Sequence, residues 1–147
     1  MTQQLSALIH SAQLQTVPSG VRVVLTTLPG EPHGMGMLMV ELLRRQRGVE
    51  TINIGVETPL DQRQQACRAL HPQALALSFS AVQKRPQTMA MLRELAQKIP
   101  PAVVIVAGGR GITRLRGIPA RVQVIKRLER LDAAIAPLLR QANPAAP

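Results

Sequence analysis

Leu28-Pro29-Gly30-Glu31-Pro32-His33-Gly34-Met35-Gly36 stands between two runs of different character. Before it lies an apolar run, Val21 to Leu25, and after it an amphipathic run, Met37 to Arg47. That order predicts a buried strand, a loop and a helix. In a parallel sheet such loops lie at the carboxyl ends of the strands, where α/β folds place their ligands. The stretch carries a histidine two residues after a carboxylate. Its three glycines, Gly30, Gly34 and Gly36, leave the backbone bare enough for something large to come close.

The same alternation continues along the chain. Val21–Leu25 is the first strand. Met37–Arg47 is the first helix, with Leu38, Leu42, Val40 and Leu43 turned inward and Gly48 as its stop. Glu50–Gly55 is the second strand, and Thr58-Pro59 caps and starts a helix that runs through Leu70. Ala74–Ser80 is the third strand; Arg85-Pro86 opens a helix that ends near Ile99, at Pro100-Pro101. Val103–Ala107 is the fourth strand and ends in Gly108-Gly109. Residues 110–121 read as loop, Val122–Ile125 as the fifth strand, and Arg127–Gln141 as a helix with Leu128, Leu131, Ile135 and Leu138 inward. Five strands with short connections and right-handed crossovers predict a three-layer α/β domain. Its sheet is Rossmann-like (flavodoxin-like), doubly wound and parallel. Residues 1–20 read as a linker or helical remnant, 21–141 as the domain and 142–147 as a flexible tail.

Composition narrows the function classes. A chain of 147 residues that is 46% hydrophobic makes one domain with a core. No apolar run approaches the roughly 20 residues of a membrane span. Gln3, Gln4, Gln13 and Gln15 break up the first twenty residues, which lack the form of a secretory signal. The single Cys67 excludes an internal disulfide and makes a cytoplasmic home the default. With 18 basic and 8 acidic residues, the net charge of +10 points to an acidic partner: nucleic acid, phosphate or an acidic protein surface. Phe79 is the only aromatic residue, so there is no stacking platform for single strands. Neither a helix-turn-helix pair nor a set of zinc-ligand cysteines is present.

Three features fall at strand ends on one sheet edge: Glu31-Pro32-His33, Ser78-Phe79-Ser80 and Gly108-Gly109. They match none of the familiar phosphate or hydrolase motifs. There is no GxxxxGK[ST], no GxGxxG after the first strand and no GxSxG. A receiver domain would need acidic residues where Thr26, Thr27 and Ser78 stand. A zinc site would need further ligands near His33, and His10 and His71 lie outside these loops. What remains is one histidine for one open axial position on a metal that brings its own macrocycle. The carboxylate two residues earlier would accept Nδ1–H, fix the tautomer and leave Nε2 for the metal.

Glu31-Pro32-His33-Gly34-Met35-Gly36 resembles the D-x-H-x-x-G signature of cobalamin-binding domains. Forty-one residues separate Gly36 from Ser78, and twenty-seven separate Ser80 from Gly108. Both intervals agree with that family, whose second element is S-x-L or S-x-T and whose third is a glycine pair. The resemblance covers residues 21 to about 140. It implies cobalamin (adenosylcobalamin or methylcobalamin) held base-off, with His33 as the lower axial ligand of cobalt and the nucleotide tail in a channel between sheet and helices. Ser78 would bond the buried base with Ser80 nearby, and Gly108 and Gly109 would leave room for the tail. Thr58-Pro59-Leu60 resembles the family's helix-starting segment, at the corrin edge. Glu31 departs from the usual Asp. Its extra methylene, about one C–C bond, predicts a His33 contact that is longer, shifted or bridged by water. Ser80 also departs, making the tail pocket more polar.

The pattern is most similar to the C-terminal domains of MerR-type cobalamin-dependent regulators and their light-responsive relatives. That implies a sensory or regulatory module, either cut from a longer regulator or working with a partner, rather than an enzyme. The alternative is a cobalamin-carrying subunit of a mutase or a corrinoid methyltransferase. Arg110, Arg114, Arg116, Arg121, Lys126, Arg127 and Arg130, with Glu129 the single acid among them, offer a basic surface for a DNA-binding or protein partner.

Overall fold

The computed structural model describes residues 3–4, 7–8, 19–34, 36–38, 40–41, 47–80, 84–127 and 130–142. Its centre is a five-stranded sheet of β1 (Arg22–Thr26), β2 (Glu50–Asn53), β3 (Ala74–Ser78), β4 (Val104–Gly108) and β5 (Val122–Ile125). Every neighbouring pair is parallel and the order is β2-β1-β3-β4-β5. This is the doubly wound order expected. The connections after β1 and after β3 leave in opposite directions, which opens a crevice at their carboxyl ends. Register sets Thr26 beside Leu77, so the loops after these two strands start side by side.

Period-2 alternation divides the strand residues between two cores. Val24, Leu75, Leu77, Ile105 and Ala107 pack on one face, against Cys67 of α1 (Leu60–Leu70) and Leu92 and Leu95 of α2 (Arg85–Lys98). Val23, Leu25, Ala74 and Val106 pack on the other, against Met37 and against Leu138 of α4 (Leu131–Ala142). A short helix, α3 (Arg110–Thr113), sits directly after β4, where the sequence reads as loop. Its Ile112 is fully buried, which is why one turn forms there.

The remaining differences from the sequence reading lie at element ends. After β1 the described residues 36–38 and 40–41 are helical; among them Met37 and Glu41 are buried, and Leu38 is only half-buried. Leu42, Leu43 and Leu128, the side chains of Leu131 and Ile135, and His10 fall outside the described residues. Thr58 does not cap α1. Pro59 takes the N-cap position with no side-chain bond, while the Thr58 hydroxyl turns to β1. Pro86 opens α2 as expected. Cys67 is buried and free, and burial pushes its thiol up. No helix among the described residues is long and apolar enough to cross a membrane.

Two arginines have structural positions. Arg121, expected on an exposed basic surface, is half-buried instead. Its Nη1 donates to the carbonyls of Ala96 (2.6 Å) and Ile99 (2.7 Å), and its Nη2 to those of Pro100 and Val103. These carbonyls lie where α2 ends and the chain turns into β4, so a guanidinium satisfies acceptors that helix termini leave open. Arg63 of α1 is buried, with Nε and Nη1 lacking hydrogen-bond partners among the described residues. Desolvation lowers its pKa to about 10, against the pull of Glu94 and Asp61.

These positions have opposite consequences for stability. Arg121→Ala, which leaves several carbonyls without their donor, is expected to lower unfolding free energy by about 2–4 kcal/mol in a urea titration. Arg63→Met removes a buried charge that Glu94 and Asp61 offset only in part and keeps most of the volume, so the same titration should show a gain of about 1–3 kcal/mol at pH 7. Because the folded-state pKa of Arg63 is lowered to about 10, the cost of its charge is present below that pH. That gain should shrink as the pH rises through this value.

Candidate functional site

Glu31 lies in the loop after β1 and is 0% exposed. Both of its oxygens are used. Oε1 accepts from His33 Nδ1 (2.8 Å) and from the His33 backbone N–H (3.1 Å). Oε2 accepts from the backbone N–H of Ser80 (2.5 Å), in the loop after β3. The contact to His33 is therefore direct, not the lengthened or water-bridged one expected from the longer side chain. The longer side chain thus reaches both His33 and Ser80 while remaining fully buried.

Burial would raise the Glu31 pKa. The hydrogen bonds from the Ser80 side chain and backbone and from His33 outweigh it and lower the pKa below 4.5. Glu31 is thus an ionised carboxylate that only accepts, so the neutral form of the imidazole carries its proton on Nδ1 and its lone pair on Nε2. The His33 side chain is 60% exposed, and Nε2 has no partner among the described residues. The clamp fixes the tautomer on one side and presents a Lewis base on the other.

Two threonines at the end of β1 hold this loop in place, and neither was singled out as a site residue from the sequence. Thr27 Oγ1 donates to the Glu31 carbonyl (2.6 Å) and accepts from the Glu57 N–H (2.7 Å). Glu57 has a left-handed backbone (φ 53°), and its carboxylate accepts from the Gly30 N–H (3.1 Å). The Thr26 and Thr58 hydroxyls are 2.8 Å apart and both lie against the Gly55 carbonyl. The only sequence signal is two hydroxyl residues closing a run whose buried residues are otherwise Val and Leu.

Beside the clamp, on the α4 face of the sheet, a cavity of about 330 Å³ opens. Its walls are mainly apolar, with Leu25, Val40, Val106 and Ile125 among them, and Ser78 supplies a hydroxyl. Gly36 and Gly108 line it too. A Cβ on Gly36 would stand 2.7 Å from Ser78 Oγ, so that glycine keeps the serine side of the cavity open. Gly109 lines the cavity as well, and the protein's own packing also requires a glycine there. Its φ is +107° and a Cβ would reach within 2.0 Å of the Phe79 carbonyl, so the clash is with the backbone just after β3. Gly111 packs the same way against Ser80, and no motif pointed to it.

The predicted residues thus separate into groups. Glu31, His33 and Ser80 form the clamp, while Gly36, Ser78, Gly108 and Gly109 border the cavity. Of the helix-starting segment, Thr58 is buried in the hydroxyl cluster, Leu60 packs on the core and Pro59 is exposed. Val56, 41% exposed, stands against Gly34 instead. Arg110, Arg114, Arg116, Lys126, Arg127 and Arg130 are exposed.

A family model described as the B12 binding domain matches residues 21–117, from the start of β1 past α3. The chain belongs to the B12-binding domain family. Cobalamin is accordingly its cofactor. Two curated relatives are the HTH-type transcriptional repressors CarA and CarH of Myxococcus xanthus. CarA is 27% identical over 65% of this chain, and CarH 29% identical over 82%. The match spans only 33% and 40% of their own lengths. Among solved structures, a cobalamin-binding protein from Desulfitobacterium hafniense superposes with TM-score 0.61 at 13% identity, covering 92% of this chain and 70% of that one. The Methanosarcina barkeri monomethylamine corrinoid protein gives 0.66 at 15%, covering 94% and 66%. At these identities the two structures share the fold with this chain.

The residues present fit the cofactor. Among the described residues no three His, Cys, Asp or Glu side chains gather as a metal cage. The clamp offers one imidazole nitrogen, which suits a metal already held in a macrocycle, and the adjoining cavity offers space for its appended base. Glu31→Gln keeps the size but can accept from only one of its two partners through oxygen. It is expected to cost about 1–3 kcal/mol of stability at pH 7, measured by urea denaturation. Because the folded pKa is lowered, the wild-type advantage should be full above pH 4.5 and lost as the pH falls through the folded value.

Proposed function

We propose that this chain is the cobalamin-holding sensory module of a transcriptional regulator, with the cofactor base-off and His33 Nε2 as the lower axial ligand of cobalt. One observation carries the ligand assignment. The buried Glu31 carboxylate holds Nδ1–H and leaves the Nε2 lone pair exposed at the β1/β3 crevice, next to an apolar cavity. Bound there, cobalamin supplies a cobalt whose upper ligand can be exchanged, which is the chemistry a sensor needs.

The protein's own residues would do the rest. Glu31 keeps the imidazole oriented and its tautomer fixed. Ser80 holds Glu31, so the loop after β3 helps to position the ligand. Ser78 would bond the tail's base inside the cavity, with Gly36 and Gly108 leaving the space it needs. Val56 and Pro59 would lie at the corrin edge, in place of Thr58 and Leu60.

The regulatory part of the reading rests on likeness to CarA and CarH, whose printed descriptions are transcriptional repressors. A longer regulator containing this module would supply the DNA-binding part. A cobalamin-carrying subunit of a mutase or corrinoid methyltransferase is the competing reading, supported by the fold shared with the corrinoid protein.

Titration with adenosylcobalamin and with methylcobalamin in the dark tests the ligand assignment. The expected result is the spectral change of base-off cobalamin carrying an imidazole, absent in His33→Ala. Glu31→Gln should weaken binding by about tenfold or more. A wild-type spectrum identical to that of free cofactor overturns the assignment. A cobalamin-dependent change in DNA binding by the intact regulator supports the sensory role, whereas turnover with a candidate mutase or methyltransferase subunit favours the alternative.

A further inference from the structure

The cavity beside the clamp has two charged residues among the described ones that line it, Arg110 and Lys126, and both are cations. They come from different elements. Arg110 begins α3 just after β4, and Lys126 follows β5 directly. Since β4 and β5 are parallel, both residues stand at the carboxyl edge of the sheet, and both are exposed. They therefore mark the mouth of the cavity, while Leu25, Val106 and Ile125 belong to its apolar wall.

Among the described residues, neither side chain has a hydrogen bond or an ion pair, although other cations on this chain do find acids. Lys98 reaches Glu94 at 2.7 Å, and Arg22 reaches Glu50 at 2.8 Å. Two unpaired like charges at the mouth of an apolar cavity repel each other, and their field favours an anion between them.

Cobalamin's appended tail has one anionic group. Its covalent order runs from the corrin through an aminopropanol link to a phosphodiester, then the ribose, then the heteroaromatic base. With the base in the apolar interior and the corrin over the sheet edge, the phosphodiester falls at the mouth. We propose that Arg110 and Lys126 form a phosphate-recognising rim that selects corrinoids with a phosphate-bearing tail. The inference rests on the cavity being the tail site, and it assigns two residues that belong to none of the three motif elements.

Arg and Lys suit this group in different ways. A guanidinium can donate two parallel N–H bonds to one phosphate, whereas the ammonium acts as a point charge. Each such bond to an ion contributes enough for about a tenfold change in affinity.

The test compares two corrinoids that differ in the phosphate: cobinamide, without the nucleotide, and cobinamide phosphate. Affinities are measured by absorbance titration for wild type, Arg110→Ala/Lys126→Ala and Arg114→Ala. Wild type should prefer cobinamide phosphate by about tenfold or more, and raised salt should erode the preference. The double variant should lose the preference, while Arg114→Ala, an exposed cation outside the cavity lining, should keep it. All three positions are exposed, and equal thermal melts establish that folding is unchanged. No preference in wild type, an undiminished preference in the double variant, or an equal loss in Arg114→Ala overturns the proposal. His33→Ala run in parallel separates the two readings. Failure of the cobalt-ligand assignment shows as an unchanged His33→Ala spectrum, and failure of the rim as an unchanged phosphate preference.

Discussion

A carboxylate removed from water must be answered on every side, and Glu31 is. Burial by itself would push such a group towards neutrality. Here the donors from His33 and Ser80 more than offset that effect and keep it ionised. Because both oxygens are engaged, the loop after β1 cannot shift without releasing the loop after β3. The carboxylate thus ties together two sides of the crevice in which doubly wound folds bind ligands. The orientation of His33, its tautomer and the exposure of Nε2 all follow from this one side chain.

The sheet separates the polar work from the apolar work. At its carboxyl edge, Thr26, Thr27 and Thr58 join β1 to the loop after β2, and Glu57 closes that connection against Gly30. Below the edge, on the α4 face, the cavity is walled by strand residues whose neighbours in sequence face the opposite core. Ser78 and Ser80 show the division on a small scale. Two residues apart, one lines the cavity and the other holds Glu31, because β3 ends at Ser78 and the chain turns there. Charge is divided as well. Arg121 is committed to the carbonyls where α2 ends, whereas Arg110 and Lys126 have no protein partner among the described residues.

Much of this was legible in the residues. Strand runs of Val, Ile and Leu, broken by glycine and proline, located all five strands to within a residue or two. Pro86 and Ile99 bracket α2 as their chemistry suggests. Local rules erred where a distant group competed for the same atom. Thr58 is a good N-cap by type, but Thr26 claims its hydroxyl. Arg121 belongs to a basic run by sequence, but four carbonyls lie within its reach. Residues 110–113 have no strong helical pattern, and a single buried isoleucine fixes the turn.

The sequence by itself determined the fold class, the strand ends that meet at one edge and the identity of the histidine and its carboxylate. Those follow from short-range patterns: apolar periodicity, turn residues and a two-residue spacing. The length of the Glu31 side chain suggested a looser grip on His33, and only the tertiary structure reversed that expectation. Reach is set by where the backbone of an acid is seated, not by its side chain alone. The placement of Glu31 in the crevice depends on Thr27, Glu57 and Ser80, which lie up to 49 residues away. The cavity and its two cations were likewise decided by packing, since parallel strands bring Arg110 and Lys126 to one edge although no motif links them.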